Sequence, residues 1–238
     1  GRIWTNGKAV LIPDFPMPYT ISTGNLGIPK AYTKKVKLIG PILPKQPGEL
    51  PTEKELRKKL DLPDDKPVIF APISGPLNER AFLTSMLERT LREFPDDYEI
   101  VLSLGYPQSA DNKPVRAGNL TIYEWTPNRF DYLKACDLVI SRAGHGTLTQ
   151  SLCYGKPMIL VPTPSHTEQL NNAKQAERLG AAKMVHQEDL NKENLLKTIK
   201  QVLKSDMQER LERIKAKVAE YNGLENAVKI IAETAEQC

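Results

Sequence analysis

Two glycines flank a histidine in Ser141-Arg142-Ala143-Gly144-His145-Gly146-Thr147, directly after the apolar run Leu138-Val139-Ile140. A strand that feeds such a loop and then a helix leaves the first helical amides unpaired. Together with the helix dipole they favour an anion such as a diphosphate. No Gly-Lys-Ser/Thr follows, so this is not a Walker A loop. Gln150 falls about one turn into the helix, within reach of a sugar hydroxyl. A loop histidine without a role is the other reading of His145. Ile73-Ser74-Gly75-Pro76 is a second strand-to-helix turn, where glycine lets backbone approach a ligand closely. Pro162 to Ala173 is a third, a proline-stiffened loop presenting His166, Glu168 and Gln169 before another helix. Taken alone, Glu168 and Gln169 also suit a solvated first helical turn.

These loops need strands behind them. Val68–Ile73, Glu99–Leu104, Leu120–Tyr123, Leu138–Ile140, Met158–Val161 and Lys183–Val185 are short apolar runs that read as buried strands, with helices between most of them. One helix carries Leu83, Leu87 and Leu91 beside Phe82 and Met86. Alternating strands and helices imply a doubly wound parallel α/β sheet, whose ligands bind at the carboxyl ends of the strands. Thr52 with Glu55 forms a capping box that opens a short basic helix ending near Leu60. The proline-rich segment Pro13–Pro51 reads as an extended connector containing one strand, Val36–Ile39. Met207, Leu211, Ile214 and Val218 mark a late helix, and Leu224, Ala227, Ile230 and Ile231 a last one.

The chain has 238 residues, 40% hydrophobic and 26% charged, enough for a sizeable core and unlike a disordered or fibrous composition. No apolar stretch approaches the roughly 20 residues of a membrane-spanning helix. The net charge of +4 comes from interleaved signs, weak evidence for nucleic acid, which is not expected as a partner, and slightly better evidence for an anionic ligand or surface. Cys136, Cys153 and Cys238 have no CxxC spacing, so neither a disulfide framework nor a zinc site is read; Cys136 and Cys153 are expected in the core, and a cytoplasmic location follows, with peripheral membrane attachment left open. The start at Gly1-Arg2-Ile3-Trp4 reads as a fragment or a processed chain.

From Asp137 to Val185 the chain resembles the carboxyl-terminal, donor-binding domain of GT-B fold glycosyltransferases, nearest to the MurG-like family (glycosyltransferase family 28) and more distantly to UDP-glucuronosyltransferases. The residues carrying the likeness are Ser141-Arg142-Ala143-Gly144, Thr147, Gly155-Lys156-Pro157, Val161-Pro162, Gln169, Asn172-Ala173 and Gly180-Ala181-Ala182. The resemblance implies donor-phosphate contacts from Ser74, Gly75, Arg142, Gly144, His145, Gly146 and Thr147, and sugar contacts from His166, Glu168 and Gln169. It implies nucleoside contacts from Trp125, Asn128 and Gln150. Asn128 and Gln150 depart from the glutamine and glutamate usual at those places, and a plain core tryptophan is the other reading of Trp125. Residues 10–44 resemble the end of the amino-terminal domain and the interdomain connector.

The domains expected are therefore 1–50, remnant and connector; 51–222, nucleotide-sugar-binding domain; and 223–238, a helix that would pack back on an amino-terminal domain. The resemblance implies inverting transfer of a hexose or N-acetylhexosamine from a nucleotide sugar, UDP being the first expectation, to an unidentified acceptor that includes lipid-linked ones. No catalytic residue is assigned: the base is expected in the missing amino-terminal domain or a partner chain, so this chain alone is expected to be inactive or incomplete. No cofactor is expected, and no metal, because no Asp-x-Asp motif occurs. The alternatives are a non-catalytic or partner-dependent nucleotide-sugar-binding subunit and a nucleotide-sugar epimerase.

Overall fold

The computed structural model describes residues 7–28, 33–108 and 113–236. Its elements run β1 (Val10–Ile12), β2 (Val36–Leu38), α1 (Glu53–Lys59), β3 (Val68–Pro72), α2 (Leu77–Leu91), β4 (Glu99–Ser103), β5 (Val115–Ala117), β6 (Leu120–Tyr123), α3 (Arg129–Ala135), β7 (Leu138–Ser141), α4 (His145–Tyr154), β8 (Met158–Leu160), α5 (Thr167–Arg178), β9 (Ala182–Met184), α6 (Lys192–Lys204), α7 (Met207–Val218) and α8 (Gly223–Glu236).

Seven strands form one sheet in the order β5-β6-β4-β3-β7-β8-β9. Every pairing in it is parallel except β5 with β6. The sheet is the doubly wound parallel one read from the sequence, with an antiparallel edge strand that was not read there. Val115 and Arg116 are exposed, so this edge strand lacks the apolar run that marks its neighbours. β3, β4, β7 and β8 are buried at every residue, as strands covered by helices on both faces must be. The chain leaves β3 toward β4 and β6 on one side, and returns to β7, β8 and β9 on the other. β3 and β7 are thus adjacent parallel strands whose following loops diverge, the switch point at which doubly wound sheets open a crevice.

Thr52 and Glu55 make the reciprocal cap expected of them: Thr52 Oγ1 accepts from Glu55 N at 3.3 Å, and Thr52 N donates to Glu55 Oε2 at 2.8 Å. The connector is more tightly integrated than an extended segment need be. β1 pairs in parallel with β2, with Val10 opposite Val36, and Phe15 and Ile21 are fully buried in the same core cluster as the large sheet. Phe82 is 62% exposed although Leu83 beside it is buried. Cys136 is buried and Cys153 half-buried, and burial pushes both thiols up to about 12. Cys238 lies outside the described residues. Leu224, Val228 and Ile231 of α8 are exposed and Ile230 is half-buried. Packing of that helix against Ile3 likewise falls outside the described residues. Among the described residues no helix is long and apolar enough to cross a membrane.

Candidate functional site

Three loops meet over the carboxyl ends of β3, β7 and β8. Pro72, Ser74, Gly75, Ser141, Arg142, Gly144, Thr147, His166, Glu168 and Gln169 line one cleft, joined by Pro76 and Glu79 at the start of α2. Eight of the residues read from the sequence are therefore brought together, although the loops that carry them lie far apart in the chain.

Arg142 builds this cleft. Its side chain is 5% exposed, with Nη1 donating to the carbonyl of Ser74 at 2.7 Å and Nη2 to Thr163 Oγ1 at 2.9 Å and to Glu79. One guanidinium thus ties the loops after β3, β7 and β8 together while Glu79 neutralises it. Gly75 has φ +114°, and a Cβ there would collide with Nη1 of Arg142. Glycine at 75 is consequently required by the clasp itself. Arg80 adds a second tether, donating from Nη1 to Gly75 O at 2.5 Å and lying 4.6 Å from the ring centre of Tyr106.

Gly144 and Gly146 differ. Gly144 caps α4 with φ −66° and Gly146 lies in its first turn; a Cβ on either would meet nothing beyond its own turn within 4 Å. Space is open beside both glycines at a helix start, the kind of position where an anion is favoured. Ser141 Oγ, in a residue 2% exposed, has no hydrogen-bond partner and borders the same cleft.

His145 turns elsewhere. Its ring is not in the cleft wall; Nε2 lies 3.2 Å from Oδ2 of Asp14, without the alignment of a good hydrogen bond. Asp14 is fully buried and accepts from the amides of Phe15 at 2.7 Å, Ile21 at 3.2 Å and Ser22 at 2.8 Å and from Ser22 Oγ at 2.6 Å. Burial alone would raise its pKa, but contact with His145 and the bonds from Ser22 outweigh it and hold the carboxyl below 3.8. Asn25 Nδ2 donates to Asn172 Oδ1 at 3.1 Å, and Asn172 Nδ2 to Ala143 O at 3.2 Å. The connector therefore braces the loop after β7 from behind.

On the sugar side of the expected site, His166 caps α5, its Nδ1 accepting from Gln169 N at 3.4 Å. Gln169 Oε1 accepts from Thr163 N at 2.8 Å, which leaves its amide nitrogen as the group free to donate.

A smaller slot adjoins the cleft and shares Pro72 and Ser74 with it. Phe70, Ile73, Ser103, Trp125, Thr126 and Arg129 complete its wall. Trp125 is half-buried at this slot. Asn128 is exposed and Gln150 half-buried, and neither lines slot or cleft. Gln150 instead accepts a 2.7 Å hydrogen bond from Nη2 of Arg129. Burial lowers the pKa of Arg129. Arg129 and Glu79 were not picked out from the sequence. Arg129 follows Trp125-Thr126-Pro127-Asn128 directly, a position that could have flagged it; Glu79 meets Arg142 only through the fold.

Known proteins share this fold. An uncharacterised glycosyltransferase of Methanopyrus kandleri is 26% identical over 99% of this chain, which covers 63% of that relative. The UDP-N-acetylglucosamine--N-acetylmuramyl-(pentapeptide) pyrophosphoryl-undecaprenol N-acetylglucosamine transferase of Aquifex aeolicus is 28% identical over 87% of this chain and is covered over 57% of its own length. The chain thus spans about three fifths of these relatives. Among solved structures, the glycosyltransferase VinC in complex with dTDP superposes with a TM-score of 0.57 at 20% identity, covering 84% of this chain and 46% of that one. The model of the glycosyltransferase family 28 C-terminal domain matches residues 78–232, from the start of α2 into α8, and the chain belongs to that family.

Proposed function

We propose that the crevice between the loops after β3 and β7 holds the nucleoside diphosphate of a sugar donor, with UDP the first expected nucleotide. The whole protein would transfer a hexose or N-acetylhexosamine from it to an acceptor hydroxyl with inversion. The observation that carries this reading is the convergence of Ser74, Gly75, Gly144 and Thr147 with His166, Glu168 and Gln169 in one cleft at a switch point, in a chain of a glycosyltransferase family.

The phosphates would sit over the open glycines at the start of α4, served by backbone amides including that of His145 and Gly146. The sugar would lie toward His166, Glu168 and Gln169, and the nucleoside toward Trp125, with Asn128 and Gln150 behind it. In the reaction a base takes the acceptor hydroxyl's proton as its oxygen attacks the anomeric carbon, and the bond to the diphosphate breaks with its electron pair. Fixed amides and the helix dipole would stabilise the departing charge without reorganising. We include metal independence in the proposal. The base is sought outside these residues, and the acceptor class, lipid-linked ones included, is open to screening. The Aquifex relative's named donor and the dTDP of VinC support a nucleoside-diphosphate sugar as the class.

Calorimetric titration with UDP, dTDP and GDP, with and without EDTA, tests this. Saturable one-to-one binding of at least one nucleotide, insensitive to EDTA, is expected; binding of none, or binding abolished by EDTA, would overturn the donor reading or its metal independence respectively.

A further inference from the structure

Arg129 is left over by the donor reading. It opens α3, lines the slot, and gives its Nη2 to Gln150 Oε1 at 2.7 Å, while its guanidinium carbon lies 5.3 Å from the ring centre of Phe130. Both partners are uncharged. Among the described residues no carboxylate lies within ion-pairing distance of it, whereas Arg142 nearby is paired with Glu79. The cleft also carries Glu168, so its own wall holds two carboxylates against one arginine. A diphosphate entering it would need a further positive charge. The slot and the cleft meet at Pro72 and Ser74, which places Arg129 beside the nucleoside end of that cleft. Thr126 Oγ1, in a residue 2% exposed, is buried in the same slot wall without a protein partner, so the polar groups of this wall are not used up by the fold.

We propose that Arg129 is the specificity-determining cation of this site, meeting the donor's phosphate charge from the nucleoside side. The proposal rests on the crevice being a nucleoside-diphosphate site. A guanidinium fork suits phosphate oxygens, and with Nη2 held by Gln150 its Nη1 and Nε remain to donate. Gln150 then has a definite part as a positioning residue. A neutral amide orients the guanidinium without cancelling its charge; a carboxylate at 150 would form an ion pair and compete with the ligand.

The test compares UDP and UMP by calorimetry, and uridine by ligand-observed NMR, on the wild-type chain and on Arg129→Gln, Arg129→Lys and Gln150→Glu, with thermal unfolding as a folding control. Arg129→Gln is expected to weaken UDP about tenfold or more while leaving uridine unchanged, as loss of a charge-assisted bond would. Arg129→Lys should recover part of that loss. Gln150→Glu should weaken UDP and not uridine. Equal losses for UDP and uridine would make Arg129 a reader of base or ribose and overturn the proposal, as would unchanged UDP affinity in folded Arg129→Gln. Failure of the wild-type chain to bind UDP or any other nucleoside diphosphate would instead bring down the donor reading on which the proposal stands.

Discussion

Arg142 lines the cleft from the loop after β7, and Arg129 lines the adjoining slot from the start of α3, the helix after β6. Arg142 is buried, paired with Glu79 of α2 and bonded to the loops after β3 and β8; Arg129 is held by a neutral amide and by an aromatic ring. The glycines divide in the same way, Gly75 being required by the arginine packed against it and Gly144 and Gly146 opening onto free space. A basic residue beside a glycine-rich loop is therefore not by that fact a phosphate ligand. Where the fold consumes the charge, the residue builds the loop; where it does not, the charge is left for a ligand.

The largest expected difference is in stability. Arg142→Ala strands Glu79 and the acceptors at Ser74 and Thr163, and should lower the unfolding free energy by about 3 kcal/mol, the lower end for breaking a buried pair because Glu79 is partly exposed. Arg129→Ala should cost about 1 kcal/mol or less. Urea denaturation of both variants measures the contrast, and equal losses would break it. Next come the glycines. Gly75→Ala should cost about 1 to 3 kcal/mol, since its φ of +114° and the crowding by Arg142 both oppose a side chain. Gly146→Ala should leave stability unchanged or raise it by up to about 1 kcal/mol through helix propensity, while lowering nucleotide affinity. A stability loss at Gly146 equal to that at Gly75 would remove the distinction between scaffold and ligand-facing glycines.

The smallest effect concerns Asp14, behind the loop after β7. Its carboxyl is held below the ordinary value, so its contribution is complete above about pH 4 and lost as pH falls through the lower folded pKa. Asp14→Asn should be less stable at pH 7 and show a flatter acid limb than wild type in equilibrium unfolding. A parallel acid limb in both proteins would show that Asp14 carries no such linkage. His145, facing Asp14, belongs to this bracing side: His145→Ala should lower stability modestly and change nucleotide affinity less than Gly146→Ala does.

The parts of this molecule legible in the sequence are those whose signal is local. β3, β4, β7 and β8 are runs of apolar residues because helices cover both faces, and the capping box of α1 spans four residues. The loops after β3 and β7 showed themselves as glycines between strand and helix. β5 was not legible because its residues are solvated, and β1 because three half-buried residues before a proline make no pattern. Roles of the two arginines were hidden for a different reason. Glu79 and Arg142 are 63 positions apart, and Arg129 and Gln150 are 21 apart, so what decides each charge is a partner that only the fold supplies.

Amide chemical-shift mapping of the uniformly labelled chain on titration with UDP tests the central claim most directly. The expected result is saturable perturbation concentrated on Ser74, Gly75 and Gly144 to Thr147, together with the indole N–H of Trp125. Saturable shifts confined to another surface, such as the cavity between Leu43–Gly48 and Lys215–Asn222, or no shifts at all, would contradict the placement of a nucleoside diphosphate at the start of α4.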